Sequence, residues 1–131
     1  KKAAAALKKG KLLKVQEKPY TLPAPGIAAL KHRPVIIGSG PAGLFCGLLL
    51  AKAGYAPLLL ERGASATERK ERLEQFWAGG TLDVRANAQF GEGGAGTFSD
   101  GKLNTLVKDP FGRNREVLRI FAEAGAPEEI L

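Results

Sequence analysis

The stretch Val35-Ile36-Ile37-Gly38-Ser39-Gly40-Pro41-Ala42-Gly43 constrains the fold of this chain more than any other part of it. Three apolar β-branched residues in succession suit a strand covered on both faces of a parallel sheet. The G-x-G-x-x-G spacing then requires a sharp turn, and Pro41 stands where a helix begins, at the position that tolerates a missing N–H. Leu44, Leu48 and Ala51 recur at helical spacing, and Gly54 supplies the stop. A second apolar strand, Pro57–Leu60, ends in Glu61, 18 residues after Gly43. Strand, glycine turn, helix, strand and acid in this order form the dinucleotide-binding fingerprint. The expected fold class is α/β, a partial Rossmann-like domain with a doubly wound parallel sheet.

Each position of the turn has a chemical reason. Gly38 permits the reversal from strand to helix. Gly40 lacks a Cβ, so a pyrophosphate can approach the backbone, and Gly43 lets the helix pack closely on the strand. Ser39, Pro41 and Ala42 complete the turn, whose helix N-terminus offers free N–H groups and a positive dipole end to phosphates. Glu61 can accept hydrogen bonds from ribose hydroxyls, and an acid there disfavours a 2′-phosphate. Arg62 is a candidate for the adenine or a phosphate, with a plain surface arginine as the equal alternative. A turn built only for tightness would leave the acid without a role.

Downstream, Ser65 and Glu68 have capping-box spacing and open a charged helix to about Ala78. Leu73, Phe76 and Trp77 lie on or near its apolar stripe, Glu68 and Arg72 stand at i, i+4, and Gly79-Gly80 ends it. Residues 81–90 show little pattern. Then comes a second glycine cluster, Gly91–Gly101, with five glycines in eleven positions. A flexible linker would not need its Glu92, Phe98 and Asp100, or the Lys102 that follows. Dense glycine lets backbone N–H groups crowd an anion or a flat ring. Gly93, Gly94 and Gly96 are the candidates for close approach, with Thr97 and Ser99 as hydroxyl donors. Asn114 reads as the cap of a last helix through Ala124, stopped by Gly125 and Pro127.

The net charge of +7 is unevenly placed. Residues 1–33 hold nine Lys/Arg against one Glu, a net +8, while residues 34–131 hold eleven against twelve, a net −1. The basic segment has one aromatic, Tyr20, and no nucleic-acid motif, so a solvated lysine-rich face is expected and no nucleic-acid partner. It reads as the end of a helix to Lys9 with Gly10 as its stop, a short strand Leu12–Glu17, and a linker rich in proline up to Pro34. The single Cys46 excludes an internal disulfide and is compatible with the cytoplasm. It reads as a small core residue of its helix. No apolar run reaches the roughly 18 residues a membrane span needs. His32, the only histidine, precedes the first strand and is not a catalytic candidate. There is no Met, and both ends read as lying within structure, so a piece of a larger protein is expected.

The runs Arg33–Phe45, Leu58–Gly63 and Gly91–Leu103 together resemble the bacterial FAD-dependent dehydrogenase-like proteins, over roughly residues 33–131. The first two runs are common to many two-domain flavoproteins; the third is more specific to this group. The resemblance implies a glutathione-reductase-like FAD domain beginning at residue 34, truncated at 131. Residues 1–33 would be the end of a preceding small α/β domain with its linker. It implies that Gly38, Gly40, Pro41, Ala42, Glu61 and Arg62 hold the ADP moiety, and that Gly93–Ser99 lies near the pyrophosphate or flavin. Arg69 sits where some flavoproteins hold a phosphate, although a solvated helix arginine is the preferred reading. The expected function is that of an FAD-dependent oxidoreductase, with NAD(P)H an eligible electron donor, an unidentified small-molecule substrate and catalytic residues unknown. The alternatives are an NAD-dependent dehydrogenase, a non-redox FAD-binding protein of RNA-modification or structural type, and a nucleic-acid-binding module resting on the basic N-terminus.

Overall fold

The computed structural model describes residues 2–10, 12, 19–102 and 104–131. The strand expected over Leu12–Glu17 therefore falls almost wholly outside the described residues. The chain divides into two compact units, one of Ala24–Asn104 and one joining Lys1–Pro23 to Thr105–Leu131.

The Ala24–Asn104 unit contains the fingerprint. Strand β1 (Val35–Ile37) pairs in parallel with β2 (Leu58–Leu60), Val35 opposite Leu58 and Ile37 opposite Leu60. The ladder continues one residue beyond each end, through the Leu58 N–H to Pro34 O at 2.8 Å and the Gly38 N–H to Leu60 O at 2.7 Å. Arg33 fastens the strand starts from outside, donating to Ala56 O at 2.6 Å and Pro57 O at 3.0 Å. Between the strands runs α2 (Pro41–Lys52), with Pro41 in its first turn and Gly54 at φ +86° just beyond its end. Helix α2 packs on both strands. A Cβ at Gly47 would meet Ile36 Cδ1 at 3.5 Å, so α2 crosses the sheet at contact distance.

Helix α3 (Ala66–Trp77) starts where the capping box places it: Ser65 Oγ accepts from the Glu68 N–H at 3.3 Å. Its Arg72 pairs with both Glu68 and Asp83. Of the expected stripe, Leu73 is buried, whereas Phe76 and Trp77 are exposed. Residues 81–90, patternless in sequence, form a turn organised by Asp83. Its Oδ1 accepts from the N–H groups of Arg85 at 2.8 Å and Ala86 at 3.2 Å. Those bonds, that of Arg85 first, hold the Asp83 carboxyl below its ordinary range. The second glycine cluster is ordered as well, with a 3₁₀ turn over Gly94–Phe98.

Much of the small sheet away from α2 remains open, with Ile37 88% exposed. The same openness corrects the reading of Cys46, which is exposed on α2 because no described segment covers that face of the helix.

In the other unit, α1 (Lys2–Lys8) precedes Gly10, which is left-handed as a helix stop requires. Helix α4 (Arg113–Glu123) begins after a left-handed Gly112. Asn114 is thus inside the helix and does not cap it. Gly112 holds the N-cap position, and Asp109 serves the first turn from outside: its Oδ2 accepts the Asn114 N–H at 2.7 Å and its Oδ1 that of Phe111 at 3.1 Å. Glycine at 112 lets the chain reverse so that an acid five residues before Asn114 can reach back.

Candidate dinucleotide site

At the carboxyl ends of β1 and β2 the chain forms the glycine turn. Gly38 has φ +98°, a conformation open to glycine and strained for other residues. Gly43 meets a different demand: a Cβ there would collide with the Gly38 carbonyl oxygen, so only glycine allows the first turn of α2 to sit on the strand exit. Gly40 meets neither. Its backbone is extended, φ −69° and ψ 179°, and a Cβ would find open space. The first N–H groups of α2, at Ala42 and Gly43, are free of intrahelical partners by helix geometry.

Glu61 holds this turn from the end of β2. Its Oε2 accepts the Ser39 N–H at 2.7 Å and the Ser39 hydroxyl at 2.9 Å, and its Oε1 accepts the Gly63 N–H at 2.7 Å. The backbone N–H of Ser39, then that of Gly63, lower the carboxyl pKa to about 2. The carboxylate is ionised at neutral pH and has lone pairs beyond the three in use. Ser39 is buried, which keeps its bonds to Glu61 dry on one side.

The second glycine cluster lies directly against the first. The Gly93 N–H donates to Ser39 O at 2.9 Å, and the Glu92 N–H to Ala64 O at 3.1 Å. A Cβ on Gly94, which is left-handed at φ +64°, would stand 3.2 Å from Pro41 Cδ and 3.5 Å from Gly40 Cα. Glu92 also accepts the Ala66 N–H at 2.7 Å, joining Ser65 in capping α3.

Between the two clusters opens a cleft of about 190 Å³. Of the residues singled out from sequence, Gly40, Glu61, Arg62 and Gly94 line it. Gly38, Ser39, Pro41, Ala42 and Gly43 form the turn at its base, and Gly93 bonds to that turn. Gly96, Thr97 and Ser99 lie outside the lining: the Thr97 hydroxyl donates to Glu92 O at 3.0 Å, and Ser99 Oγ accepts the Gly101 N–H at 3.2 Å. Sequence reasoning missed Arg85, Gln89 and Phe90, which with Gly63 and Gly91 complete the wall. The three missed residues sit in the Asp83 turn, whose order comes from contacts with α3 and leaves no periodic signal.

A larger groove, about 470 Å³, runs along α3 past Leu73, Trp77 and Phe98. It contains none of the glycine-turn residues. Free helix N–H groups and a reachable backbone favour the smaller cleft.

Residues 36–92 match the NAD(P)-binding Rossmann-like domain family. The matched segment runs from Ile36 in β1 through the glycine turn, α2, β2 and α3 to Glu92. With its parallel β1–β2 pair and crossing helix, the chain has the α/β fold of a partial Rossmann-like domain. It is also 51% identical over 105 residues to an uncharacterized protein of Clostridium beijerinckii, a match covering 80% of this chain and 19% of that relative. The chain thus spans about a fifth of the relative's length. Among the described residues there is no helix long and apolar enough to cross a membrane and no cluster of potential metal ligands.

Proposed function

We propose that the cleft binds the ADP half of FAD and that the protein to which this chain belongs is an FAD-dependent oxidoreductase. The observation that carries the reading is Gly40. Its backbone suits any residue and nothing in the fold occupies the space of a Cβ, yet it lines the cleft beside free helix N–H groups. A pyrophosphate approaching that backbone explains the missing side chain where packing does not. Ala42 and Gly43 would donate their N–H groups to the phosphates, and the lone pairs left on Glu61 would accept from the ribose hydroxyls. Arg62 and Arg85 supply positive charge at the rim. FAD would contribute hydride or electron transfer, with NAD(P)H as a donor. A single exposed thiol is compatible with work in the cytoplasm.

The description of the matched family favours a second reading, in which NAD itself is the ligand. Visible absorption of the full-length protein as purified separates the two, followed by calorimetric titration of the apo-protein with FAD, NAD and ADP. Flavin absorbance and a preference for FAD are expected. Colourless protein that binds NAD in preference to FAD gives the site to the second reading. Absence of binding by all three removes both.

A further inference from the structure

Arg69 was expected in solvent and is instead fully buried, with 0% of its surface exposed. Burying a guanidinium is costly unless its donors are satisfied. Here every hydrogen bond goes to one segment of chain. Nε donates to Asn87 O at 3.2 Å, and Nη2 to Asn87 O at 3.0 Å, Ala88 O at 3.1 Å and Gly94 O at 2.9 Å. Nη1 donates to Glu92 O and meets the Thr97 hydroxyl at 3.4 Å. The Phe98 ring closes over the guanidinium at 4.9 Å.

The acceptors are spaced in an informative way. Ala88 and Glu92 bracket Gln89-Phe90-Gly91, three residues that line the cleft, and the Gly94 carbonyl belongs to a fourth. Gly91 is left-handed at φ +115°, and a Cβ there would stand 2.5 Å from Arg69 Cδ. The arginine stem therefore passes under the cleft wall while its head grips the wall on both sides. No other described side chain donates to more than one of these carbonyls.

We infer that Arg69 is a positioning residue for the dinucleotide, which it does not touch: it holds residues 87–94 in the shape that makes the cleft. Lysine cannot replace it, because an ammonium is a point charge with three donors and cannot span carbonyls that a planar fork of five N–H groups reaches together. The inference rests on the dinucleotide reading for its ligand, and on the hydrogen bonds alone for its action on the wall.

The test uses full-length Arg69→Ala and Arg69→Lys, with two readouts on each. In ligand-free protein, amide exchange within residues 88–94 should quicken at least about tenfold, while amides of α2 stay within about twofold of wild type. On titration with FAD, NAD or ADP, whichever wild type binds most tightly, Kd should rise at least about tenfold in both variants. Millimolar guanidinium should restore much of the affinity of Arg69→Ala by refilling the vacated site. Unchanged exchange in 88–94 overturns the inference. So does a loosened wall with unchanged Kd, which leaves Arg69 a purely structural residue. If Arg69→Ala does not fold, Arg69→Lys decides on the same criteria. Should wild type bind none of the three nucleotides, the dinucleotide reading falls, and the exchange data still decide whether Arg69 holds the wall.

Discussion

The two glycine clusters meet at one cleft, but they are held in opposite ways. The turn at Gly38–Gly43 is local: strand, helix and the acid at the next strand end all lie within a short stretch of chain. Its anchor is an exposed carboxylate, Glu61, that gathers N–H groups. The segment leading into Gly91–Gly101 is held by a buried cation, Arg69, that gathers carbonyl groups. Donors collected by an acid leave the helix N-terminus aimed outward; acceptors collected by a base draw the next segment down beside it. Packing accounts for some glycines of each cluster and not for others. Gly43 and Gly94 are required by close neighbours, whereas Gly40 and Gly96 face open space.

The largest effect is expected where glycine is required by packing. In the full-length protein, Gly43→Val must push α2 away from the strand exit. Overpacking of this kind costs about 1–3 kcal/mol and more when the obstacle is backbone. The denaturation midpoint should fall steeply, and an unchanged midpoint would mean that α2 sits elsewhere. Gly94→Val combines a left-handed backbone with contact against Pro41, and strain of about 1–3 kcal/mol is expected. Bound flavin should fall with it, while the apo-protein keeps its circular dichroism. Full flavin content in that variant would detach the second cluster from the cofactor.

Glu61 comes next. Glu61→Ala should weaken ADP and FAD binding roughly tenfold, the scale of one hydrogen bond to a charged acceptor. Glu61→Gln should cost less, since one oxygen remains. The pH dependence has a fixed sign. The carboxyl is lowered to about 2 in the folded chain from an ordinary 4.5. The stability it adds is therefore complete above about 4.5 and is lost as pH falls toward 2. Wild type and Glu61→Gln should converge in stability across that window, and a constant gap would show that the N–H bonds do not depend on charge. The smallest stability changes belong to Gly40→Ala and Gly96→Ala, within about 0.5 kcal/mol of wild type. Gly40→Ala should nevertheless lose nucleotide affinity in calorimetry. If both stability and affinity are kept, Gly40 is not where the phosphates approach.

What the sequence made legible is what is local. Val35–Ile37, the helix opened by Pro41 and the Ser65 cap all follow from residues within a few positions of one another, and each stands where spacing puts it. The cleft wall does not. Arg85, Gln89 and Phe90 take their places because Asp83 folds the backbone onto Arg72 of α3 and because Arg69 takes up the carbonyls beyond, contacts that span 11 to 25 positions. Arg69 itself was misread for the same reason: on a charged helix an arginine looks solvated until the segment that buries it is in place. The cap of α4 shows the limit on a smaller scale, since the φ of Gly112 decides whether Asn114 or Asp109 reaches the helix end.

The register of β1 on β2 carries a consequence for the order of folding. Each pair, Val35 with Leu58 through Ile37 with Leu60, joins residues 23 apart in the chain, and much of that interval is α2. Closing so short a loop costs little entropy, and contacts of low sequence separation form early. The Gly38–Gly43 turn is thus expected to assemble ahead of the wall beside it. Pulse-labelled exchange during refolding should find the Gly38 N–H protected before that of Gly93. A nucleotide present from the start would then meet a half-built site, and could act as the surface on which the second cluster settles.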